Sequence, residues 1–118
     1  MKSPVQTMVG AIFIPVKDII KAKEWYCDLL NIETPNEIIT DHLFVIDLDY
    51  DLKVVLDSKI YEKRIIDDVP LFHFNTSNIE TAYKYVQLKG IEVLTAIQHH
   101  HFFNIRDLDG NVLMICEC

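Results

Sequence analysis

Two stretches of this chain follow one plan at an offset near 60 residues, with Ala11 falling on Leu71 and Asp18 on Asn78. The first copy opens with an apolar run at 8–14, which suits a buried strand and is broken by Pro15-Val16-Lys17. Asp18 is a helix N-cap, because its carboxylate accepts from the free amides of a first turn. Ile19, Ala22, Tyr26, Leu29 and Leu30 then recur at three and four residues, which places them on one helical stripe. Asn31 is a left-handed stop. Strands are expected at 37–40, 42–49 and 52–57, with Asp49-Tyr50-Asp51 as the tip between the last two.

The second copy repeats this with Leu71-Phe72-His73-Phe74-Asn75 as its opening strand. Ser77 and Glu80 have capping-box spacing, and Ile79, Ala82, Tyr83 and Val86 make the stripe that Lys89-Gly90 ends. Strands are expected at 91–97, 101–106 and 111–117. Between the last two stands Asp107-Leu108-Asp109-Gly110-Asn111, where Asp and Asn bond back to nearby backbone and Gly takes positive φ freely. The chain is therefore expected to be a single α+β domain, 1–118, of two βαβββ modules (8–57 and 70–117) joined by a polar linker at 58–69. Each helix covers one face of its sheet, and the other faces are left to curve into a cleft.

The segments Val16-Lys17-Asp18, Trp25-Tyr26 and Leu29-Leu30-Asn31, together with Asp107-Leu108-Asp109-Gly110-Asn111, resemble the vicinal-oxygen-chelate family. That family includes glyoxalase I, ring-cleaving dioxygenases and bleomycin-resistance proteins, and the resemblance spans about residues 8–117. It implies the paired βαβββ fold with curved mixed sheets, a small-molecule cleft on the open sheet faces and, in many members, a homodimer. It does not imply one chemistry, because one fold hosts many functions.

The resemblance also implies where a divalent ion would be held, at Ala11, Val55, Leu71 and Met114 by distance from the motifs. Hydrocarbon side chains have no donor atom, and a thioether suits neither a hard ion nor most zinc sites. The flanking residues, Gly10, Ile12, Val54, Leu56, Pro70, Phe72, Leu113 and Ile115, supply no ligand either. The expectation is a family member without the usual metal site and without cofactor, and so without ordinary metal-assisted chemistry.

Strand alternation puts His73 with Leu71 and Asn75, opposite Phe72 and Phe74. The same parity assigns Val9, Ala11, Phe13, Lys53 and Val55 to the open face of the first module. The second contributes His100, Phe102, Asn104, Arg106, Val112, Met114 and Cys116. Ligand contact is expected at Phe13, His73, Asn75, Phe102, Asn104 and Met114, a largely apolar surface with a few polar groups that suits a small apolar or aromatic molecule. The bland reading of the aliphatic members is interface core.

Other motifs point away from function. His99-His100-His101 cannot converge on one ion from a strand, so a polar strand start or hairpin edge is expected. The Asp47-x-Asp49-x-Asp51 run lacks the glycine of a calcium loop, and Ser58 stands where its bidentate Glu belongs, so it reads as a solvated hairpin. No G-x-S-x-G elbow or glycine-rich phosphate loop is present. Cys27, Cys116 and Cys118 are an odd set without a metal spacing, and free thiols are expected. Cys116 shares the open face with His73, but nothing in the sequence orients the two as a pair.

A formal charge of −7 repels phosphate backbones and anionic lipid, which excludes nucleic acid and membrane as expected partners. No apolar run reaches the ~20 residues of a membrane helix, and the short polar start lacks a signal-peptide core, so a cytoplasmic protein is expected. The function expected is small-molecule binding. The alternatives are an enzyme of the same superfamily, of lyase/isomerase or dioxygenase type, that uses His73 as a base or unusual ligand, and a structural role in which the open faces serve only self-association.

Overall fold

Each helix begins at a side chain that accepts from its own first turn. Asp18 Oδ1 takes the amides of Ile20 and Lys21 at 3.0 and 3.1 Å, and α1 runs from Ile19 to Leu30. Asn78 Oδ1 takes the amide of Thr81 at 3.0 Å, and α2 spans Ile79–Leu88. The second cap is thus Asn78, not the expected Ser77–Glu80 box. The Ile79 amide bonds instead to Glu117 Oε1 at 2.8 Å, a long-range partner that no local motif encodes. Asn31 closes α1 in the left-handed region (φ 51°, ψ 51°), and Gly90 follows α2 at φ 73°.

The structure, a computed structural model, describes residues 3–64 and 68–118. Ile65, Ile66 and Asp67 of the expected linker, and Met1 and Lys2 of the polar start, lie outside the described residues. In the first module β1 (Ala11–Pro15) runs parallel to β3 (Lys53–Asp57), and β2 (Leu43–Asp47) pairs antiparallel with β3. The second repeats the order, with β4 (His73–Asn75) parallel to β6 (Val112–Cys116) and β5 (Phe102–Arg106) antiparallel to it. The duplicated plan is therefore real, as two three-stranded mixed sheets and two helices.

Where a further strand was expected in each module, the chain makes isolated bridges. Ile39 bridges Leu43, because Thr40 and Asp41 turn back at once through positive φ (50° and 62°). The 91–97 segment runs beside β5 through single bonds, Leu94 N to Asn104 O at 2.8 Å and Arg106 N to Glu92 O at 3.0 Å, without a continuous ladder. Asp49–Asp51 forms the expected tip as a tight turn, with Tyr50 and Asp51 in the left-handed region (φ 62° each).

One apolar cluster runs through both modules. It is built from helix-side positions: Tyr26 and Leu29 of α1, Phe44 and Leu56 of the first sheet, Val86 of α2, Phe103 and Leu113 of the second. Polar bonds lock the same seam. Tyr26 Oη donates to Asp107 Oδ2 at 2.5 Å, Asn111 Nδ2 donates to Pro15 O at 2.9 Å, and the Lys17 amide donates to Asp109 Oδ1 at 3.1 Å. Tyr85 Oη donates to the Leu29 carbonyl at 3.0 Å. The two modules therefore join through their helix-bearing sides.

Burial, followed by the Asp107 carboxylate, pushes the Tyr26 hydroxyl well above its ordinary 10.0. A raised folded-state value means the native state holds this proton more tightly than the unfolded chain does. That contribution is complete below pH 10.0, the ordinary value, and is lost as pH rises further. Tyr26→Phe is expected to cost about 1.5–3 kcal/mol in urea unfolding at neutral pH, the range for a hydrogen bond to a charged group. It should also flatten the alkaline loss of stability; an unchanged alkaline slope would contradict the assignment.

Candidate functional site

Register assembles the open face of the second sheet in two rows. His73 pairs with Met114, which pairs with Asn104; Asn75 pairs with Cys116, which pairs with Phe102. Cross-strand partners present their side chains on the same face. Five of the six expected ligand-contact residues, His73, Asn75, Phe102, Asn104 and Met114, thus share one surface. Phe13 stands on the other sheet, in a row with Val55 and Val45, and is 59% exposed despite sitting mid-strand. Phe72 and Phe74 pack toward the core on the opposite side from His73, in edge-to-face contact with each other.

Asn104 is the polar centre of this face. Its amide donates to Thr95 Oγ1 at 3.1 Å and its carbonyl accepts from Leu94 N at 2.8 Å. Its side-chain Oδ1 is buried and accepts from no described residue. A buried acceptor without a donor is costly, and such atoms are uncommon in folded proteins. Asn104 also lines a depression of about 390 Å³ with Leu94, Thr95, Asp68 and Arg106.

Other expected members fall elsewhere. His99 and His100 lie in a turn with positive φ (51° and 63°), so His100 is not a strand residue of the face. Leu71 precedes β4 and extends its pairing through its amide to Val112 O at 2.9 Å. Arg106 is occupied by the Gly110 carbonyl at 2.9 Å, Asp68 at 2.8 Å and Glu92 at 3.3 Å. Lys53 pairs with Asp47 at 2.9 Å; the Asn36 amide and then Lys53 hold that carboxyl below its usual range. At Ala11, Val55, Leu71 and Met114 the side chains are alkyl or thioether, a donor set that does not fit a divalent ion.

Two features escaped the sequence reading. The first is an apolar pocket of about 270 Å³ at the seam between the helices, lined by Leu29, Leu30, Phe74, Ala82, Tyr85, Val86 and Ile115 among others. Its walls come from four elements, so no local pattern announces it. The second corrects the expectation of three free thiols: Cys116 and Cys118 form a disulfide, and Cys27 alone is free. Two residues apart at the end of β6, the Cα atoms stand 5.4 Å apart, within disulfide range. Among the described residues, the one grouping of three metal-ligating side chains is His73, Cys116 and Cys118.

A family model described as Glyoxalase/Bleomycin resistance protein/Dioxygenase superfamily matches residues 8–115. Among curated proteins, none matches the sequence. Among solved structures, TnmS3, an antibiotic binding protein from Streptomyces sp. CB03234, superposes with TM-score 0.78 at 16% identity, covering 98% of each chain. Lactoylglutathione lyase from Agrobacterium tumefaciens gives 0.70 at 15% identity over 98% of this chain and 96% of that one. The trypanothione-dependent glyoxalase I of Leishmania major gives 0.72 at 8% identity, over 95% and 87%. At these identities the likeness is one of fold.

Alkylation of the denatured, unreduced protein is expected to label Cys27 and spare Cys116 and Cys118. Prior reduction should expose all three, as read by intact mass; three labels without reduction would refute the pairing.

Proposed function

The chain belongs to the Glyoxalase/Bleomycin resistance protein/Dioxygenase superfamily, and from that premise we propose that it binds a small, largely apolar or aromatic molecule without the metal site that the resemblance implies. The binding surface is the open sheet face, with Phe13, His73, Asn75, Phe102, Asn104 and Met114 as contacts. The observation that carries this reading is the orphaned Asn104 Oδ1, which stands on the face it shares with Met114 and Phe102 and lines a depression with Leu94, Thr95, Asp68 and Arg106. A face with apolar members such as Phe102 and Met114 and one buried acceptor left without a donor favours a ligand with an apolar body and an N–H or O–H donor. The absence of donor atoms at Ala11, Val55, Leu71 and Met114 supports a site that works by fit and not by a bound cation.

A second copy of the chain completes the site in this reading. The modules meet through their helix sides, so one chain leaves both open faces outward. Phe13 at 59% exposure, with Val9 and Leu71 also uncovered, is the kind of apolar surface that a partner covers. That TnmS3 is an antibiotic binding protein is consistent with a binding role on this fold.

Calorimetric titration with 2-naphthol and with 2-methoxynaphthalene, which lacks the O–H, tests the reading. 2-Naphthol is expected to bind roughly 2–10-fold more tightly, the worth of one net hydrogen bond. Asn104→Leu should erase that difference, and a chelator should leave binding unchanged while the disulfide is intact. Equal affinities in the natural protein, or no binding of either compound, would reject the proposal. Sedimentation is expected to give a dimer, with Phe13→Asp shifting it toward monomer.

A further inference from the structure

His73 on β4, Cys116 on β6 and Cys118 just beyond it place their ligand atoms within 4.8 Å of one another. Register explains the convergence. His73 pairs with Met114 and Asn75 with Cys116, so His73 lies diagonally across from Cys116 on one face. Cys118 follows Cys116 by two residues and returns to that face. A strand pair thus fixes two of the three, while Cys118 is exposed and has room to swing.

We infer that His73, Cys116 and Cys118 form a redox-gated site for a thiophilic cation, Zn²⁺, open when the two cysteines are thiols and closed when they are joined. Zinc holds sulfur at about 2.3 Å and imidazole nitrogen at about 2.0 Å, so tetrahedral donors stand about 3.5–3.8 Å apart. From a cluster no wider than 4.8 Å, the imidazole approaches by on the order of 1 Å once the sulfurs part. Two thiolates and one imidazole are a soft-to-borderline set that favours zinc over magnesium, calcium or manganese. Three protein donors leave the fourth position for water or for a ligand on the open face. The net charge of −7 raises the local concentration of cations and not of anions.

Gating is ordinary thiol–disulfide exchange. Two equivalents of a low-molecular-weight thiol reduce the Cys116–Cys118 bond, giving two protein thiols and one small disulfide. Zinc binding then releases the two thiol protons to solvent, with no change in the metal's oxidation state. In reverse, a small disulfide accepts two electrons from the bound thiolates; the protein disulfide forms, two small thiolates leave, and Zn²⁺ is expelled. Cys27 takes no part. It stands on α1, and burial pushes its thiol up, with Lys23 opposing.

The test uses the whole chain, reduced with a phosphine that is then removed, and titrated with Co²⁺ and with Zn²⁺. Reduced protein should bind one ion per chain, give the thiolate-to-cobalt absorption band, and lose the band when Zn²⁺ competes. Oxidation with a small disulfide should expel the zinc in step with loss of free thiol. Cys118→Ser, at an exposed position beyond β6, should abolish the band. His73→Ala should weaken zinc by at least roughly 10–100-fold, since outer partners of ligands are already worth that much. Cys27→Ser should change nothing. A reduced protein that binds no zinc, or zinc binding that survives Cys118→Ser or is indifferent to His73→Ala, would overturn the inference.

Discussion

The Asp107 carboxylate holds this molecule in one piece. It accepts four hydrogen bonds: from the amides of Asp109 and Asn111 on Oδ1, and from Tyr26 Oη and Asn111 Nδ2 on Oδ2. Three of these lie within the turn between β5 and β6, and one reaches α1 in the other module. Asn111, tied to the same carboxylate, reaches the end of β1 through Pro15 O. Asp107 and Asn111 are only 7% and 8% exposed, and the bonds to Asp107 from Tyr26 Oη, Asn111 N and Asn111 Nδ2 are made where water cannot easily replace them. A local turn motif is therefore also the clamp between modules. Its position sets which faces meet and, by exclusion, which sheet faces remain open.

The clamp carries an internal conflict. Asp109 stands beside Asp107 and near Asp18, and its Oδ2 has no partner among described residues although the atom is buried. Burial raises its carboxyl above the ordinary value, and the Lys17 amide offsets part of that. Asp109 nevertheless ties the exit of β1 to the turn through that same amide. The second acid is thus an adhesive contact with an electrostatic cost, in contrast to Asp107, whose lone pairs are all used.

Features that a single stretch of chain decides were legible in the sequence. Asp18 as cap, Asn31 as stop, Gly90 after α2, the 49–51 tip and the Asp107–Asn111 turn each depend on residues within a few positions of one another. The 60-residue displacement then exposed the duplication. Features that depend on a distant partner were not legible. The Ile79 amide at the start of α2 is taken by Glu117, far along the chain. The strand expected at 37–40 is cut short by the left-handed pair Thr40 and Asp41, which are not glycines and gave no warning. At the site, strand parity placed five of the six expected residues on one face, because period two survives small errors in strand ends. It could not foresee that Asn104 Oδ1 would be left without a donor, since that depends on how 91–97 lies against β5.

The same parity connects the absent cation donors to the cysteine cluster. The resemblance points to residues 71 and 114 in the second module as holders of an ion, and there the chain carries Leu and Met. Register pairs His73 with Met114 and Asn75 with Cys116, so residues 73 and 116 stand in the same diagonal relation as 71 and 114. A shift of two residues on both strands keeps every side chain on its face and moves the pair by about 6.6 Å along the sheet. A shift of one residue would have turned the donors into the apolar core, where an unpaired imidazole is costly to bury. At the two positions that the resemblance assigns to an ion, the open face of this chain has an alkyl group and a thioether. One step further along the strands it has sulfur and imidazole, at the end of β6, where Cys118 is exposed and small thiols and disulfides have access. A sheet can change what its face binds by such two-residue translations without disturbing the clamp at Asp107 or the helix-side core.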